Sequence, residues 1–136
     1  MNNKTYLTIV TVDKIFYQDY VQFVNLKTVE GGDITFLPNH SPFVSNIDVC
    51  KMIIKEENGD FKYCSIGSGL VYVDANEIRI ITDDIIFSKD INIHRAELEK
   101  ESMISKIKTA KTKNEKAIYE FKLRKAINRI NVYNNK

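Results

Sequence analysis

"GDITFLPNHSPFV", residues 32–44, opens as a strand and then stops being one. Its β-branched and aromatic start runs into Pro38 and Pro42, the only two prolines of the chain. Each lacks a backbone donor, fixes its own φ and pushes the preceding residue toward extended geometry. "LPNHSPF" therefore cannot be the middle of a helix or of a central strand. It is a loop or an edge held in one shape, presenting Asn39, His40 and Ser41.

Working outward, the breakers divide the chain. All five glycines and both prolines lie at or before Gly69, and nothing after it contains either. Up to about Phe87 the sequence nevertheless stays β-branched and short in period. "YLTIVTV", "KIFY", "YVQFVNLKTV", "DITFL", "VCKMIIKEE", "FKYCSIG", "LVYVD" and "EIRIITDD" are rich in Val, Ile, Thr, Tyr and Phe and are separated by turn residues. That rhythm describes a sandwich or a barrel. Asn58-Gly59 between two alternating runs predicts a type I′ hairpin turn, and Asp74 to Glu77 a second turn. Two glycines inside "IGSGL" (residues 66–70) predict a bulge or a close backbone approach.

Charge divides at the same place. Residues 1–87 hold 7 basic and 12 acidic side chains, net −5, whereas residues 88–136 hold 13 basic and 6 acidic, net +7. The boundary falls near "SKDIN". Beyond it, Asp90 and Asn92 are N-cap residues, and Lys106, Lys108 and Lys111 sit where a helix ends, which suits its dipole. Ala96, Met103, Ile107 and Ala110 follow heptad-like spacing. After the polar "KTKNEK", Tyr119, Leu123, Ala126, Ile130 and Tyr133 form a second helical stripe. Two amphipathic helices with a short polar link form an antiparallel hairpin. So small a hairpin is marginal unless it docks on something, and a docked element can move.

Composition excludes several classes. At 136 residues and 43% apolar, the chain builds one domain with a core, or a smaller domain with an appendage. No stretch approaches the roughly 18 apolar residues of a membrane span, and "MNNKTYLTIV" resembles no secretory signal, so the expected site of synthesis and residence is the cytosol. Cys50 and Cys64 lack metal or redox spacing and read as buried reduced thiols. His40, Ser41 and Asp33 or Asp48 can be combined into a hydrolytic set on paper, but no nucleophile elbow, metal spacing or phosphate-cradling loop accompanies them. A β-barrel with a basic tail carrying Tyr119, Phe121 and Tyr133 is the alternative, a nucleic-acid-binding module. Against it, the strand-rich part is acidic and those aromatics fall in or beside the apolar stripe.

Four motifs, in order and at matching spacing, carry a resemblance. "GDITFLPNHSPFV" resembles a motif of the epsilon subunits of bacterial F-type ATP synthases, a Gly-acidic pair leading through an aliphatic run into Pro-x-His-x-Pro. "IGSGLVYV" is similar to that family's glycine-rich strand. "INIHRA" and "RKAINRINV" resemble the opening and closing of its two C-terminal helices. The resemblance spans essentially the whole chain. It implies an antiparallel β-sandwich of about ten short strands over residues 1–87, docking on the central stalk and rotor ring, and a regulatory two-helix hairpin over residues 88–136.

What the resemblance implies for function is a subunit without catalytic centre, peripheral to the cell membrane on its cytoplasmic side. Its partners would be the gamma subunit of the stalk, the c-ring, and the alpha and beta subunits of the catalytic head when the hairpin is extended; nucleic acid would not be one. Asp33 carries over as a rotor-ring contact and His40 as a stalk contact. Lys122, Arg124, Lys125 and Arg129 would meet an acidic segment of the head and inhibit ATP hydrolysis, with only Glu120 close enough to neutralise them. In some members an acidic residue and an arginine spaced as in "INIHRA" help to hold ATP. Here these are Asn92 and Arg95, and Ser102 stands where a further cation would help. Asparagine caps a helix as well as aspartate but offers the arginine no charge, so ATP binding is expected to be weak at most, and no cofactor is required.

Overall fold

The computed structural model describes residues 3–135. Nine strands come first: β1 (Thr5–Val10), β2 (Ile15–Thr28), β3 (Gly32–Phe36), β4 (Phe43–Ile47), β5 (Cys50–Glu56), β6 (Phe61–Ile66), β7 (Gly69–Val73), β8 (Glu77–Thr82) and β9 (Ile85–Phe87). A 3-10 turn (Ser88–Asp90) leads into helices α1 (Ile93–Thr109) and α2 (Lys113–Asn134). The order of neighbours is β1-β8-β7-β4-β2-β5-β6-β9, with β3 on β2 and a further β1–β2 pairing.

Nine strands stand where about ten were expected; β4 and β9 match none of the eight runs read from the sequence, and two of those runs merge in β2. "KIFY" and "YVQFVNLKTV" are one 14-residue strand. Its first half pairs with β1, and from Val21 it pairs with β5 and then β3, with a register shift between Val21 and Phe23. The strand thus passes from one layer of the sandwich to the other, the device by which sandwich corners are turned. Gln18 and Asp19, which separate the two runs, are exposed residues of the continuous strand.

Period-2 alternation fills the space between the layers. Leu7, Ile9, Val24, Leu26, Phe36, Met52, Ile54, Ile66, Ile78 and Ile80 are all fully buried in one cluster. Cys50 and Cys64 belong to it as free thiols, and desolvation by burial pushes them up to about 11 and about 12.

The Asn58-Gly59 turn differs from expectation. Glu56 N–H donates to Asp60 O at 2.8 Å and Gly59 N–H to Glu56 O at 2.9 Å, which makes a three-residue loop. Gly59 has φ 94° and Asn58 does not have positive φ, so the turn is not type I′ but the longer hairpin loop with glycine in the left-handed position. Asn58 instead accepts from Asp60 N–H at 2.9 Å. The second turn is as expected: Asp74 Oδ1 accepts from Asn76 and Glu77 N–H at 2.8 and 3.0 Å.

Both glycines of "IGSGL" are close approaches. A Cβ on Gly69 would lie 2.3 Å from the carbonyl oxygen of Ile81 on β8. On Gly67 it would lie 2.9 Å from Cβ of Asp84 and 3.2 Å from Cδ of Lys125. Gly67 therefore lets α2 come down onto the sheet.

The helices start where their caps dictate. Asn92 Oδ1 accepts from Arg95 N–H at 3.0 Å, while Asp90 belongs to the 3-10 turn. Thr112 caps α2 by accepting from Glu115 N–H at 3.1 Å. Three linking residues fold α2 back along α1, and its C-terminal half lies against β5, β6 and the 3-10 turn. Ala96 and Met103 of α1 are buried, as are Ala126 and Val132 of α2. Tyr119, Leu123, Ile130 and Tyr133 are only half-buried, because the face of α2 is shared between α1 and the sandwich.

Candidate functional site

The residues singled out by sequence fall into three places. Asp33 is exposed near the start of β3 and accepts from Asn25 Nδ2 at 3.1 Å. His40 lies beyond the other end of β3, so the two residues cannot form one contact point. His40 Nδ1 is 2.6 Å from the carbonyl oxygen of Ser41, to which it donates. Its ring stands edge-on to Phe36 at 5.2 Å and near Phe43 at 6.3 Å.

This histidine thus ties the proline loop to the core. Asn39 adopts φ 65°, a left-handed conformation that asparagine tolerates, and its N–H donates to Ala75 O at 3.1 Å. The structure does not bring His40, Asp33 and Asp48 together: they have separate partners in Ser41, Asn25 and Arg124.

Beside the loop, the outer face of β4, β7 and β8 carries an apolar strip. Val44 pairs with Tyr72 and Leu70 with Ile81. These four side chains are 63%, 41%, 48% and 58% exposed. Val44 follows the loop directly, so strip and loop form one continuous surface.

The third place is the seam between hairpin and sandwich. Arg124 with Asn128 and Lys125 with Arg129 are i, i+4 pairs on two neighbouring rows of α2, which together make one face. Arg124 Nη2 donates to Asp48 Oδ1 at 2.8 Å. Arg129 donates to Asp84 Oδ1, and Lys125 Nζ lies 3.8 Å from Asp84 Oδ2. Asn128 Nδ2 donates to Cys50 O at 2.8 Å and to Ser65 Oγ at 2.9 Å. The expectation that only Glu120 neutralises the cationic run is corrected: two carboxylates of the sandwich do so. Arg124 holds the Asp48 carboxyl below its ordinary value of 3.8. A carboxyl whose folded pKa is lowered contributes stability above that ordinary value and loses it as pH falls through the lowered one. This pair is therefore intact throughout the neutral range.

Asn92, Arg95 and Lys122 line the same seam, in a cleft of about 430 Å³. Arg95, Lys122, Lys125 and Arg129 line it together with Asp83, Asp84, Asp90 and Glu99, so the cleft is balanced rather than cationic. Asn92 spends its side-chain oxygen on the helix cap.

Sequence reasoning missed Asp84 and Asn128, and considered Asp48 only for a hydrolytic set rather than as the partner of Arg124. Opposite net charges of the two parts were the signal for the carboxylates, but Arg124–Asp48 spans 76 positions and Arg129–Asp84 spans 45. No local pattern selects such partners.

Comparison with known proteins gives a consistent result. The family model for the β-sandwich domain of the ATP synthase delta/epsilon chain matches residues 4–88. The ATP synthase epsilon chain of Mycoplasma mobile is 42% identical over 137 residues, covering 98% of this chain and 95% of that protein. That of Mycoplasmopsis synoviae is 40% identical, covering 96% of each. Among solved structures, a chain of the Euglena gracilis mitochondrial ATP synthase OSCP/F1/c-ring assembly superposes with a TM-score of 0.79 at 18% identity, over 91% of this chain and 78% of that one.

Proposed function

The chain belongs to the ATP synthase delta/epsilon chain family, among its epsilon chains, and from that membership we propose that it is a non-catalytic central-stalk subunit of a proton- or sodium-translocating synthase. The carrying observation is the 42% identity over 98% of the chain, which includes sandwich and hairpin alike. In this reading the chain is peripheral to the membrane on its cytoplasmic side, and the sandwich joins the gamma subunit to the c-ring. Among the described residues no helix is long and apolar enough to cross a membrane.

The proline loop with the strip of Val44, Leu70, Tyr72 and Ile81 is the stalk-facing surface, and Asp33, at the far end of β3, meets the rotor ring. A loop pinned by two prolines, the His40 ring and the Asn39 hydrogen bond loses little entropy on docking and yields little under torque. Replacing Asp33 and His40 together by alanine is expected to weaken assembly onto the stalk while costing the free chain only about 1–2 kcal/mol, since Asp33 is exposed and His40 gives up ring-edge contacts and one hydrogen bond. Reconstitution monitored by size exclusion, with melting of the free chain, checks this. A large fall in melting temperature with normal assembly would make both residues purely structural.

The hairpin is the inhibitory part. Released from the sandwich, α2 extends along the stalk and places Lys122, Arg124, Lys125 and Arg129 on acidic segments of the alpha and beta subunits. Nucleotide is not needed for the docked state: Asn92 offers no charge to Arg95, and Lys125 and Arg129 already share a carboxylate.

A further inference from the structure

The chain holds thirteen asparagines, and only Asn58 is followed by glycine. A backbone nitrogen one residue on can attack an asparagine side-chain carbonyl, and any side chain on that next residue crowds the approach. Gly59 offers none, and the space beside it is open: a Cβ added there would meet nothing within 4 Å.

The loop also presents the electrophile. Asn58 is exposed at the tip of the β5–β6 hairpin, beyond the last ladder pair, Lys55 with Phe61. Its Oδ1 accepts from Asp60 N–H at 2.9 Å, which draws electrons from Cγ, and its Nδ2 donates to Asp60 Oδ2 at 3.2 Å. The first of these bonds is an Asx turn, which curls the side chain over the Asn58–Gly59 peptide. One contact opposes attack: Gly59 N–H donates to Glu56 O at 2.9 Å. The nucleophile is therefore withheld until the tip opens, and opening a hairpin tip costs far less than global unfolding. Asn92 and Asn128, by contrast, are spent on a helix cap and on the seam, and are followed by Ile93 and Arg129.

We propose that Asn58 is a self-modification site, converting to aspartate and isoaspartate in the folded chain with water as co-reactant and ammonia as by-product. Gly59 N bonds to Asn58 Cγ and gives up its proton to water, while the Cγ–Nδ2 bond breaks as Nδ2 takes up a proton and leaves as ammonia. A cyclic imide remains, and water opens it. Breaking the new bond gives aspartate; breaking the original peptide bond gives isoaspartate, whose main chain runs through the side-chain methylene. Aspartate keeps an oxygen for Asp60 N–H but sets a charge against the Asp60 carboxylate. Isoaspartate lengthens the loop by one main-chain atom, so the closure of Glu56 on Asp60 no longer fits. Glu57 then moves, and with it go its contacts to Lys4 Nζ at 3.1 Å and Gln22 Nε2 at 3.2 Å.

Ageing the full chain at neutral pH, folded and in denaturant, with peptide mapping by mass spectrometry and enzymatic labelling of isoaspartate, tests this. Asn58 is expected to lose its amide before every other asparagine in both states, and faster in denaturant. Gly59→Ala, measured in denaturant where loop strain plays no part, should slow the loss by at least about tenfold, the change that about 1.4 kcal/mol of barrier brings. The isoaspartyl fraction, separated by ion exchange, should melt below the Asn58→Asp variant, which stands for the other product. Retention of the Asn58 amide in the folded chain while the unfolded chain loses it, or earlier conversion at another asparagine, overturns the proposal. Equal rates in the two states overturn the role given to the Gly59–Glu56 bond. Equal melting of the isoaspartyl fraction and the Asn58→Asp variant overturns the loss of loop closure.

Discussion

Deleting residues from about 114 onward is expected to raise ATP hydrolysis by the assembled enzyme while the sandwich stays folded and bound. The core cluster lies wholly in the strands, so removing α2 takes no residue from it. What is uncovered is the seam around Cys50, Ser65 and Gly67, where α2 contributes Ala126, Val132 and polar contacts. Reversing Arg124 and Arg129 to Glu should reproduce part of the gain, since the reversed charges repel both the sandwich carboxylates and the head. The two-state logic requires only that docked and extended states differ by a few kcal/mol, with the apolar side of α2 exchanging one partner for another. Salt is a poor discriminator, because screening within about 10 Å at 0.1 M weakens both sets of ion contacts together. Hydrolysis measured at low ATP is the check. No change on truncation or on charge reversal would leave the hairpin a structural clamp.

Phe36→Ala carries the largest expected effect on stability. Phe36 ends β3, is fully buried, and meets both His40 and Phe43. Removing its ring opens a cavity at a cost of about 3–5 kcal/mol, against a total of about 5–15 kcal/mol for a domain. Melting should fall by about 10 °C or more. The proline loop should also loosen, since its histidine loses its edge contact. Val44→Ala, at a strand position whose side chain points outward, should change stability by no more than about 0.5 kcal/mol. Thermal unfolding of the two variants separates these expectations; equal small shifts would mean that the loop is not anchored through Phe36.

Much of the sandwich was legible because its inward residues alternate. Leu7 and Ile9, Met52 and Ile54, and Ile78 and Ile80 each declare a face. Asn92 was legible as a cap because capping is local. The continuity of β2 was not, since Gln18 and Asp19 break the apolar alternation with exposed polar side chains while their backbone stays paired with β1. Nor was the loop after Glu56: Asn-Gly suits more than one hairpin, and the Glu56–Asp60 pairing selects the longer one. The seam was the least legible part. Helical spacing gathers Arg124, Lys125, Asn128 and Arg129 on one face, but what that face meets depends on turns far away in the chain, at Asp48 and Asp84.

The central claim is that this chain works as part of an ATP synthase stalk, and co-purification of the affinity-tagged chain from its own cells tests it most directly. The account predicts recovery of the gamma, alpha and beta subunits in fixed proportion, with loss of all three together when Asp33 and His40 are both replaced. Recovery of the tagged chain without any synthase subunit, under conditions that keep the complex intact, would contradict it.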